Sequence, residues 1–454
     1  MKTNYSLYIL LVLGFFHVAY RVWEAPNPPP PGQQRMYPVV PEVNLREKPS
    51  LSSPIIKRIR HGRWIKVIGK ENRWYNVEFS RGKKGYILDE LITDLRVIVL
   101  KDERQLMLMK GKTVLKQYPM VLGFNPKDDK IRQGDGCTPE GRFYICEVIQ
   151  NPKPAATYGP VSLRISYPNT EDARRGYKNR LITKDQYLAI VKAIHQGQMP
   201  PQDTPLGSSI KIHGGALGVS KDWTWGCIAM TNHDITDLFS RISPRLTIVE
   251  IYRNRQQEKT YNSSDLVSQS ILAEAGKLMK KGCLYTPLAT TIIPIPFPMG
   301  DFDSSIGVCT DVVVRALRGI NIDLQALLYE DILLYPRRYH RIPTPDSNID
   351  HRRTRNLKVF FDYHAEVLTT APPLKNPKQW RPGDIVIMDT GIDNGTIYDH
   401  IGIVSSRKNP QGIPLVINLW TIGWILNEME LLNGDYPVIV GHYRLRHPFY
   451  YGAL

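Results

Sequence analysis

The hydrophobic pattern of this chain changes near its middle, and that change limits the fold more than any other feature. Up to Arg253, apolar residues come in short runs that alternate with polar residues between Gly, Asn and Ser turns, which is typical of β-strands. After the polar stretch RNRQQEKTYNSSD, apolar residues recur at helical spacing in LVSQSILAEAGKLMKKG and CTDVVVRALRGI, and three strands follow. The 454 residues therefore predict several domains, mostly β first and α+β afterwards.

The N-terminus indicates export. Lys2 precedes an apolar segment from Tyr8 to Val18, as in the n-region and h-region of a secretory signal, and the proline-rich APNPPPPGQQ follows. A small-residue cleavage site is not obvious, and the apolar segment is short for a membrane span of about 20 residues. Residues 1–24 are interpreted as a signal peptide or an uncleaved membrane anchor, and 25–36 as a Pro-rich linker. The protein is expected in the periplasm or cell envelope.

The net charge narrows the class of partner that the protein can bind. The net charge of +16 suits an acidic partner such as nucleic acid, a membrane surface or an anionic cell wall. No zinc-finger spacing or P-loop accompanies it, and the export signal disfavours nucleic acid.

The odd number of cysteines leaves at least one free thiol. Cys137 and Cys146 flank the turn TPEG, and a disulfide between them is left open. Neither a metal nor a cofactor is expected.

Residues 37–94 are predicted to form a small barrel of short strands. The stretches NLREKPS, RWYNV and GKKGYI, with a turn at Gly62, resemble a bacterial SH3-like domain. That resemblance implies either binding of wall peptides or packing beside a catalytic domain, and both remain open.

Residues 95–253 are predicted to form a mostly-β domain with a candidate nucleophile. A short helix is expected around TKDQYLAIVKAIHQG, and HDITDLFSRI is expected to be a helix capped by Asn232 or Asp234. His213 ends the strand SIKIHGG, and Cys227 follows fourteen positions later in DWTWGCIAM. A cysteine nucleophile needs a base to form its thiolate.

The loop between His213 and Cys227 is rich in glycine, which lets the chain fold back and bring the two side chains together. For either residue alone, a buried structural role is the alternative. The two together favour a catalytic pair. The glycines of the loop are Gly214, Gly215, Gly218 and Gly226.

The motifs IKIHGG and DWTWGCIAM, with TPEGRFYI and LRISYPN upstream, resemble the YkuD-type L,D-transpeptidase domain. The resemblance implies acyl transfer from peptidoglycan stem peptides to an amine or to water. It departs at Trp225, where the family usually has histidine, and at Ala229, where it usually has Asn or Arg. The residues carried over are Cys227 as nucleophile, His213 as base, Thr224 as the hydroxyl, and Gly214 and Gly226 beside them. Trp225 is expected to line the substrate channel, with plain packing as the alternative. Arg164 is expected to contact a substrate carboxylate, with a surface position as the alternative.

Residues 265–454 contain a second candidate pair. Cys309 begins a predicted helix, whose N-terminus stabilises a thiolate, and His400 begins the strand DHIGIV. Asn418, on the next predicted strand, is placed to orient the imidazole, which is the papain-like order. For Cys309 alone, the alternative is a buried helical thiol.

The stretches VCTDVVVRALRG, YPRRY, DSNIDHRRTRNL and PGDIVIMD resemble an NlpC-type cysteine peptidase relative of an uncharacterised bacterial family. The resemblance implies a papain-like α+β fold with the Cys309–His400 pair. A nearby basic run could hold peptide carboxylates or be a solvated surface: Arg337, Arg338, Arg341, Arg352, Arg353 and Arg355.

The sequence thus predicts a multidomain peptidoglycan-remodelling enzyme with an SH3-like barrel, a mostly-β YkuD-type domain and, after a linker at 254–264, an α+β papain-like domain. L,D-transpeptidation is expected at Cys227 and wall-peptide hydrolysis at Cys309. One alternative is hydrolysis at both sites. The other is a wall-binding protein whose catalytic folds are inactive.

Overall fold

The computed structural model describes residues 34–79, 83–155, 157–216, 221–243, 246–287, 294–340, 342 and 344–445. The predicted export segment, most of the proline-rich linker, Gly218 and Arg341 lie outside these ranges. Within them, no helix is both long and apolar enough to cross a membrane.

The first region is built from short strands, as predicted. Its sheet has the order β3-β2-β6-β5-β4-β1-β7. Alternate side chains of β2 and β4, such as Val43, Leu45 and Val67, enter one apolar core. The strands are β1 (Arg35–Pro38), β2 (Glu42–Arg46), β3 (Ile55–Arg60), β4 (Ile65–Glu71), β5 (Trp74–Phe79), β6 (Lys83–Leu88) and β7 (Ile92–Thr93).

The middle region is mostly β, as predicted. Its sheet has the order β10-β9-β8-β15-β11-β12-β13-β14, with parallel pairing of β15 to β8 and of β13 to β14. The elements are β8 (Leu95–Leu100), β9 (Gln105–Lys110), β10 (Thr113–Pro119), β11 (Gly141–Ala155), β12 (Gly159–Ile165), α1 (Thr170–Lys178), α2 (Lys184–His195), β13 (Lys211–His213), β14 (Ile228–Ala229), α3 (Asn232–Arg241) and β15 (Ile248–Tyr252).

The helices of this region differ in two respects from those that the sequence predicts. The predicted helix α2 is present, whereas α1 was not predicted, although Asn169 and Asp172 form a capping box at its start. The cap of α3 is Thr231 rather than Asn232 or Asp234. Its hydroxyl accepts a hydrogen bond from the Asp234 amide at 3.1 Å, which satisfies a backbone donor that has no partner inside the helix.

The third region is α+β, as predicted. The helices α5 and α6 pack against one face of a sheet with the order β18-β23-β19-β20-β21-β22. The elements are α4 (Arg255–Asn262), α5 (Ser264–Lys281), β16 (Leu284–Tyr285), β17 (Ile306–Gly307), α6 (Cys309–Gly319), α7 (Leu324–Leu334), α8 (Thr354–His364), β18 (Glu366–Val367), β19 (Ile385–Asp389), β20 (His400–Lys408), β21 (Pro414–Asn418), β22 (Asn427–Met429) and β23 (Val438–Arg444).

The segment 254–264, predicted as a linker without regular structure, contains α4. The side chain of Asn254 caps this helix by accepting a hydrogen bond from the Gln257 amide at 3.0 Å. The helix buries none of its residues, which explains why its sequence shows no apolar stripe.

Buried polar groups join the three regions. Arg174 of α1 donates two hydrogen bonds to Glu330 of α7, at 2.7 and 2.8 Å, and Tyr187 of α2 donates a third to the same carboxylate at 2.6 Å. Arg63, which follows β3, donates to the Tyr363 carbonyl at 3.1 Å. These contacts connect the SH3-like and the YkuD-like regions to the third region.

The Glu330 cluster generates a stability prediction. Glu330→Gln leaves the Arg174 guanidinium buried without its anion, which typically costs about 3–5 kcal/mol. The free energy of unfolding, measured with urea on the full chain, is expected to fall by that order. Glu42→Gln is the control, because Glu42 pairs with arginines on the exposed surface, where an ion pair contributes about 1 kcal/mol or less. Equal effects of the two substitutions would contradict a stabilising role for the cluster.

Candidate active sites

The first candidate site lies where β13 and β14 run side by side. Their register pairs Ile212 with Ile228 and His213 with Ala229. The two isoleucines belong to the core below the sheet. Because side chains alternate along a strand, His213 and Cys227 both lie on the opposite face. The structure therefore brings the predicted base and the predicted nucleophile onto one face of adjacent chain segments.

The ring of His213 has a defined orientation. Its Nδ1 donates to the Gly214 carbonyl at 2.6 Å, since a carbonyl can only accept, so Nε2 of the neutral ring is left as the proton acceptor. The ring packs against Tyr158 at 5.0 Å and Trp223 at 6.1 Å between centroids. Burial lowers the pKa of His213 to about 4, so the imidazole is neutral near pH 7.

A hydroxyl closes the turn that carries Cys227. Thr224 Oγ1 donates to the Cys227 carbonyl at 2.7 Å and accepts from the Gly226 amide at 3.1 Å. Gly226 has φ +120°, and a Cβ there would lie 2.5 Å from the carbonyl oxygen of Cys137, so the turn requires glycine. Thr224 and Gly226 thus hold the shape of the loop.

The thiol of Cys227 is protonated in the resting site. Its Sγ lies 3.7 Å from the Ser209 carbonyl, a contact that a thiol makes as donor. Burial raises the pKa of the Cys227 thiol, and the neighbouring Lys211 partly opposes this increase. Neutral thiol and neutral imidazole therefore coexist in this site.

The remaining predicted residues of this site lie around the pair. Gly214 packs so closely that a Cβ there would lie 2.5 Å from Asn232 Oδ1. Trp225 is 69% exposed and its ring meets the edge of Phe124 at 4.8 Å, so it lies at the surface beside the loop. Arg164 lies on the same face of the sheet as the pair, but its guanidinium is held by Glu147 at 3.0 Å.

The sequence did not predict that the side chains of Asp222 and Asn232 support the loop. Asp222 accepts from Arg104 (Nη2–Oδ2 2.6 Å) and from the Leu122 amide at 2.8 Å, which anchors the start of the loop. Asn232 Oδ1 accepts from the Gly215 amide at 2.8 Å. Asp222 opens the motif DWTWGC, but its partner Arg104 is 118 positions away, and the sequence carries no signal for such a pairing.

The second candidate site is built at the start of α6. Cys309 is the first residue of this helix and is 8% exposed. Asp311 accepts from the Val308 amide at 2.8 Å and binds the buried Arg352 through two hydrogen bonds of 2.9 Å, which fixes the helix start. Burial raises the pKa of Cys309 to about 11, and a backbone hydrogen bond with Ile401 partly opposes this increase. Cys309 thus contacts the residue that follows His400.

Asn418 is placed as the sequence predicts. His400 Nε2 donates to Asn418 Oδ1 at 3.1 Å, and Asn418 Nδ2 donates to the Val416 carbonyl at 3.2 Å, which sets the orientation of the amide. Nδ1 of the neutral His400 ring is consequently its proton acceptor. The ring lies 4.7 Å from Trp420, and burial lowers its pKa to about 4.

The basic run does not form one carboxylate-binding surface. Arg352 is buried against Asp311, and Arg338 binds Asp331 at 3.0 Å and stacks on Tyr335. Arg338 and Arg355 both line a cavity of about 630 Å³ that extends to Tyr398, two residues before His400. Arg337 and Arg353 are exposed, and Arg341 is outside the described residues.

The five cysteines all lie within the described ranges and are unpaired. A disulfide between Cys137 and Cys146 is therefore absent. The two side chains point to different backbone carbonyls: Cys137 Sγ lies 3.5 Å from the Asp135 oxygen, and Cys146 Sγ lies 3.5 Å from the Arg164 oxygen. Across the same ranges, no group of three or more His, Cys, Asp or Glu side chains is arranged to hold a metal ion.

Three parts of the chain match known domain families. Residues 41–93 match the bacterial SH3 domain, 94–251 the L,D-transpeptidase catalytic domain of the YkuD family, and 272–445 a domain of unknown function, DUF1287. A relative in Escherichia coli K12, the uncharacterized protein YijF, is 42% identical over 156 residues, which cover 34% of this chain and 70% of YijF. The chain belongs to the same family as YijF. It joins a DUF1287 domain to an SH3 domain and a YkuD domain.

Two solved structures illustrate the similarity of this chain to known proteins. Bd1075 of Bdellovibrio bacteriovorus is 20% identical with a TM-score of 0.25, covering 41% of this chain. The match spans 61% of Bd1075 itself. NlpC2 of Trichomonas vaginalis is 11% identical with a TM-score of 0.25, covering 91% of this chain and 98% of NlpC2.

The burial of both thiols generates a pH prediction. Because the pKa of each thiol is raised, the thiolate fraction near pH 7 is smaller than that of an exposed cysteine, and it grows as the pH rises. Labelling by iodoacetamide, mapped by mass spectrometry, is expected to accelerate continuously from about pH 6 to 10 at both residues. The Cys309 profile is expected to reach no plateau in this range, because burial raises the pKa of its thiol to about 11.

Variants provide the control for this profile. His213→Ala is expected to leave the labelling profile of Cys227 nearly unchanged, because the neutral imidazole does not ionise the resting thiol. A labelling rate that is already high and flat above about pH 6 would instead reveal a preformed thiolate–imidazolium pair, contrary to the neutral resting site.

Proposed function

We propose that the chain remodels peptidoglycan through acyl transfer at Cys227, with a second, hydrolytic cysteine site at Cys309. One observation carries the first part. Cys227 and His213 share one face of the YkuD domain, and the Gly214 carbonyl holds the His213 ring with Nε2 as proton acceptor. The family of this domain supplies the substrate class, the stem peptides of the wall.

In the proposed first half-reaction, His213 Nε2 takes the proton of the Cys227 thiol as sulfur attacks a carbonyl carbon of the donor peptide. The amide attacked precedes the terminal D-alanine of a tetrapeptide stem. The tetrahedral intermediate collapses, the C–N bond breaks, and His213 returns the proton to the leaving amine. A thioester on Cys227 remains, and free D-alanine departs.

In the second half-reaction, the amine of a neighbouring stem attacks the thioester. His213 takes a proton from this amine and gives it to the departing sulfur, so that the thiol is restored and a new amide crosslink forms. The Gly226 amide is engaged by Thr224, which leaves the amide of Cys227 as the proposed donor to the oxyanion. With water as acceptor the same site would be a carboxypeptidase.

The proposed reaction at Cys309 is hydrolysis of a wall-peptide bond. His400 Nδ1 is the proposed base, and Asn418 acts as a positioning residue through its 3.1 Å hydrogen bond to Nε2. The cavity lined by Arg338, Arg355 and Tyr398 has room for part of a peptide. Its lining ends two residues before His400 and includes neither His400 nor Cys309.

A second candidate function has one observation in its favour. Both thiols are buried and have raised pKa values, as inert structural cysteines do. A wall-binding protein with inactive catalytic folds would show the same burial. It would need the same hydrogen bonds, because the buried N–H groups of His213 and His400 require acceptors in any fold. The adduct experiment below therefore separates the two functions.

The division of labour between the two sites generates the third prediction. Cys309→Ala is expected to abolish cleavage of wall fragments while a carbapenem still forms a covalent adduct at Cys227. Cys227→Ala is expected to do the reverse, because each pair is held by its own domain core. His213→Ala should slow adduct formation on the order of 100-fold, the usual contribution of a general base. Intact-mass spectra and product masses are the measurements.

The remaining variants of the second site complete the test. His400→Ala is expected to behave like Cys309→Ala, and Asn418→Ala to retain part of the activity, since it only orients the ring. If Cys309→Ala releases the same products at the wild-type rate, the DUF1287 domain is not a peptidase on that substrate. If well-folded wild type forms no adduct at Cys227, the transpeptidase assignment is wrong.

The proposed place of action is outside the cytoplasm. The apolar segment from Tyr8 to Val18 after Lys2 supports export, either as a cleaved signal or as an anchor. Cell fractionation is expected to place the chain in the periplasm or envelope. Recovery of the full-length chain from the cytosol alone would contradict a function in wall remodelling.

A further inference from the structure

Lys211 is the cation closest in the sheet to the proposed nucleophile. It precedes Ile212, which pairs with Ile228, so Lys211 lies opposite Cys227 across the parallel strands β13 and β14. It shares the face of His213, two residues on along the same strand. Its positive charge acts on the Cys227 thiol, and its backbone forms a hydrogen bond there. Lys211 thus borders the reacting sulfur.

The ammonium group of Lys211 is positioned by an aromatic ring. Its Nζ lies 4.6 Å from the centroid of Tyr158, and the other contact of that ring is with His213 at 5.0 Å. A cation over an aromatic face is held by the negative face of the ring while its N–H donors remain available to an anion. The stem of Lys211 is half-buried, so the charge is directed over Tyr158 and towards the His213 side of the site.

Three other cations near the loop are bound to carboxylates, and Lys221, at the start of the loop, is exposed. Arg164, on the neighbouring strand β12, binds Glu147 at 3.0 Å, Arg104 binds Asp222 at 2.6 Å, and Lys130 binds Asp135 at 2.8 Å. Within the described ranges, Lys211 forms its charged contact with Tyr158 rather than with a carboxylate. Lys211 is therefore better placed than Arg164 to bind a substrate carboxylate.

We propose that Lys211 and the adjoining Tyr158 ring form a subsite for the terminal carboxylate of the donor peptide. The inference rests on the proposed reaction at Cys227. Neighbouring strands are about 4.8 Å apart, and one residue of an extended peptide spans about 3.3–3.6 Å. The backbone of Lys211 thus lies beside that of Cys227, and its flexible four-carbon side chain can bring the ammonium to a carboxylate one residue beyond the carbonyl under attack. Such a subsite selects peptides that end one residue after the scissile bond.

The test pairs two substrates with two proteins. Wild type and Lys211→Met are assayed with a donor tetrapeptide that ends in a carboxylate and with the same peptide ending in a carboxamide. Wild type is expected to prefer the carboxylate in kcat/KM by about 10- to 100-fold, the range of one hydrogen bond between charged groups. Lys211→Met is expected to lose this preference by slowing the carboxylate substrate 10- to 100-fold more than the carboxamide. Loss of the charge also acts on the Cys227 thiol, but equally with both peptides, and methionine retains the apolar stem over Tyr158.

Further variants separate binding from structure. Lys211→Arg is expected to keep the preference for the carboxylate, and Lys192→Met, which removes an exposed lysine of α2, to match wild type on both peptides. If Lys211→Met slows both peptides equally, the residue acts on the fold or on the thiol, and the subsite is refuted. If wild type turns over neither peptide, the proposed function itself fails, and the subsite fails with it.

Discussion

Desolvation is the constraint on which both candidate sites depend. Each site buries a histidine whose pKa falls to about 4 and a cysteine whose thiol pKa rises, so both partners are neutral at rest. A neutral buried ring is tolerable only where its N–H has an acceptor. The Gly214 carbonyl and the Asn418 side chain provide these acceptors, and by doing so they decide which ring nitrogen can take a proton. The same contact that lowers the cost of burial therefore also sets which nitrogen would act as the base in the proposed reactions.

The two sites reach this arrangement from different local structures. In the YkuD domain, strand register places Cys227 beside β13, and the hydroxyl of Thr224 holds the turn. In the DUF1287 domain, a helix start presents Cys309, and the buried Asp311–Arg352 pair fixes that start. Contacts such as Arg174–Glu330 then join the domains through groups that are costly to separate. The SH3 domain takes part in these contacts through Arg63, so packing is one role for which the structure shows contacts.

Features that depend on residues close together in the sequence were predicted correctly. Alternation and helical spacing predicted the three regions, α2, α5, α6 and the strands around His400, because these features depend on neighbours along the chain. The order of Cys309, His400 and Asn418 was likewise readable, and the structure brings His400 and Asn418 into contact. Features that depend on distant partners were not readable. Asp222 needs Arg104, Arg164 is held by Glu147, and Lys211 gains its place only through the pairing of β13 with β14. The helix α4 was missed for the opposite reason, since it buries no residue and shows no periodicity.

The central claim is that Cys227 carries the acyl group between donor and acceptor. The most direct measurement is mass spectrometry of the full chain quenched in acid during turnover of disaccharide-tetrapeptide fragments, followed by peptide mapping. The account predicts a thioester on Cys227 whose mass equals the donor minus one alanine, and its decay when an acceptor stem is added. Product formation with Cys227 unmodified at every quench time, or with the acyl group on Cys309 instead, would contradict it.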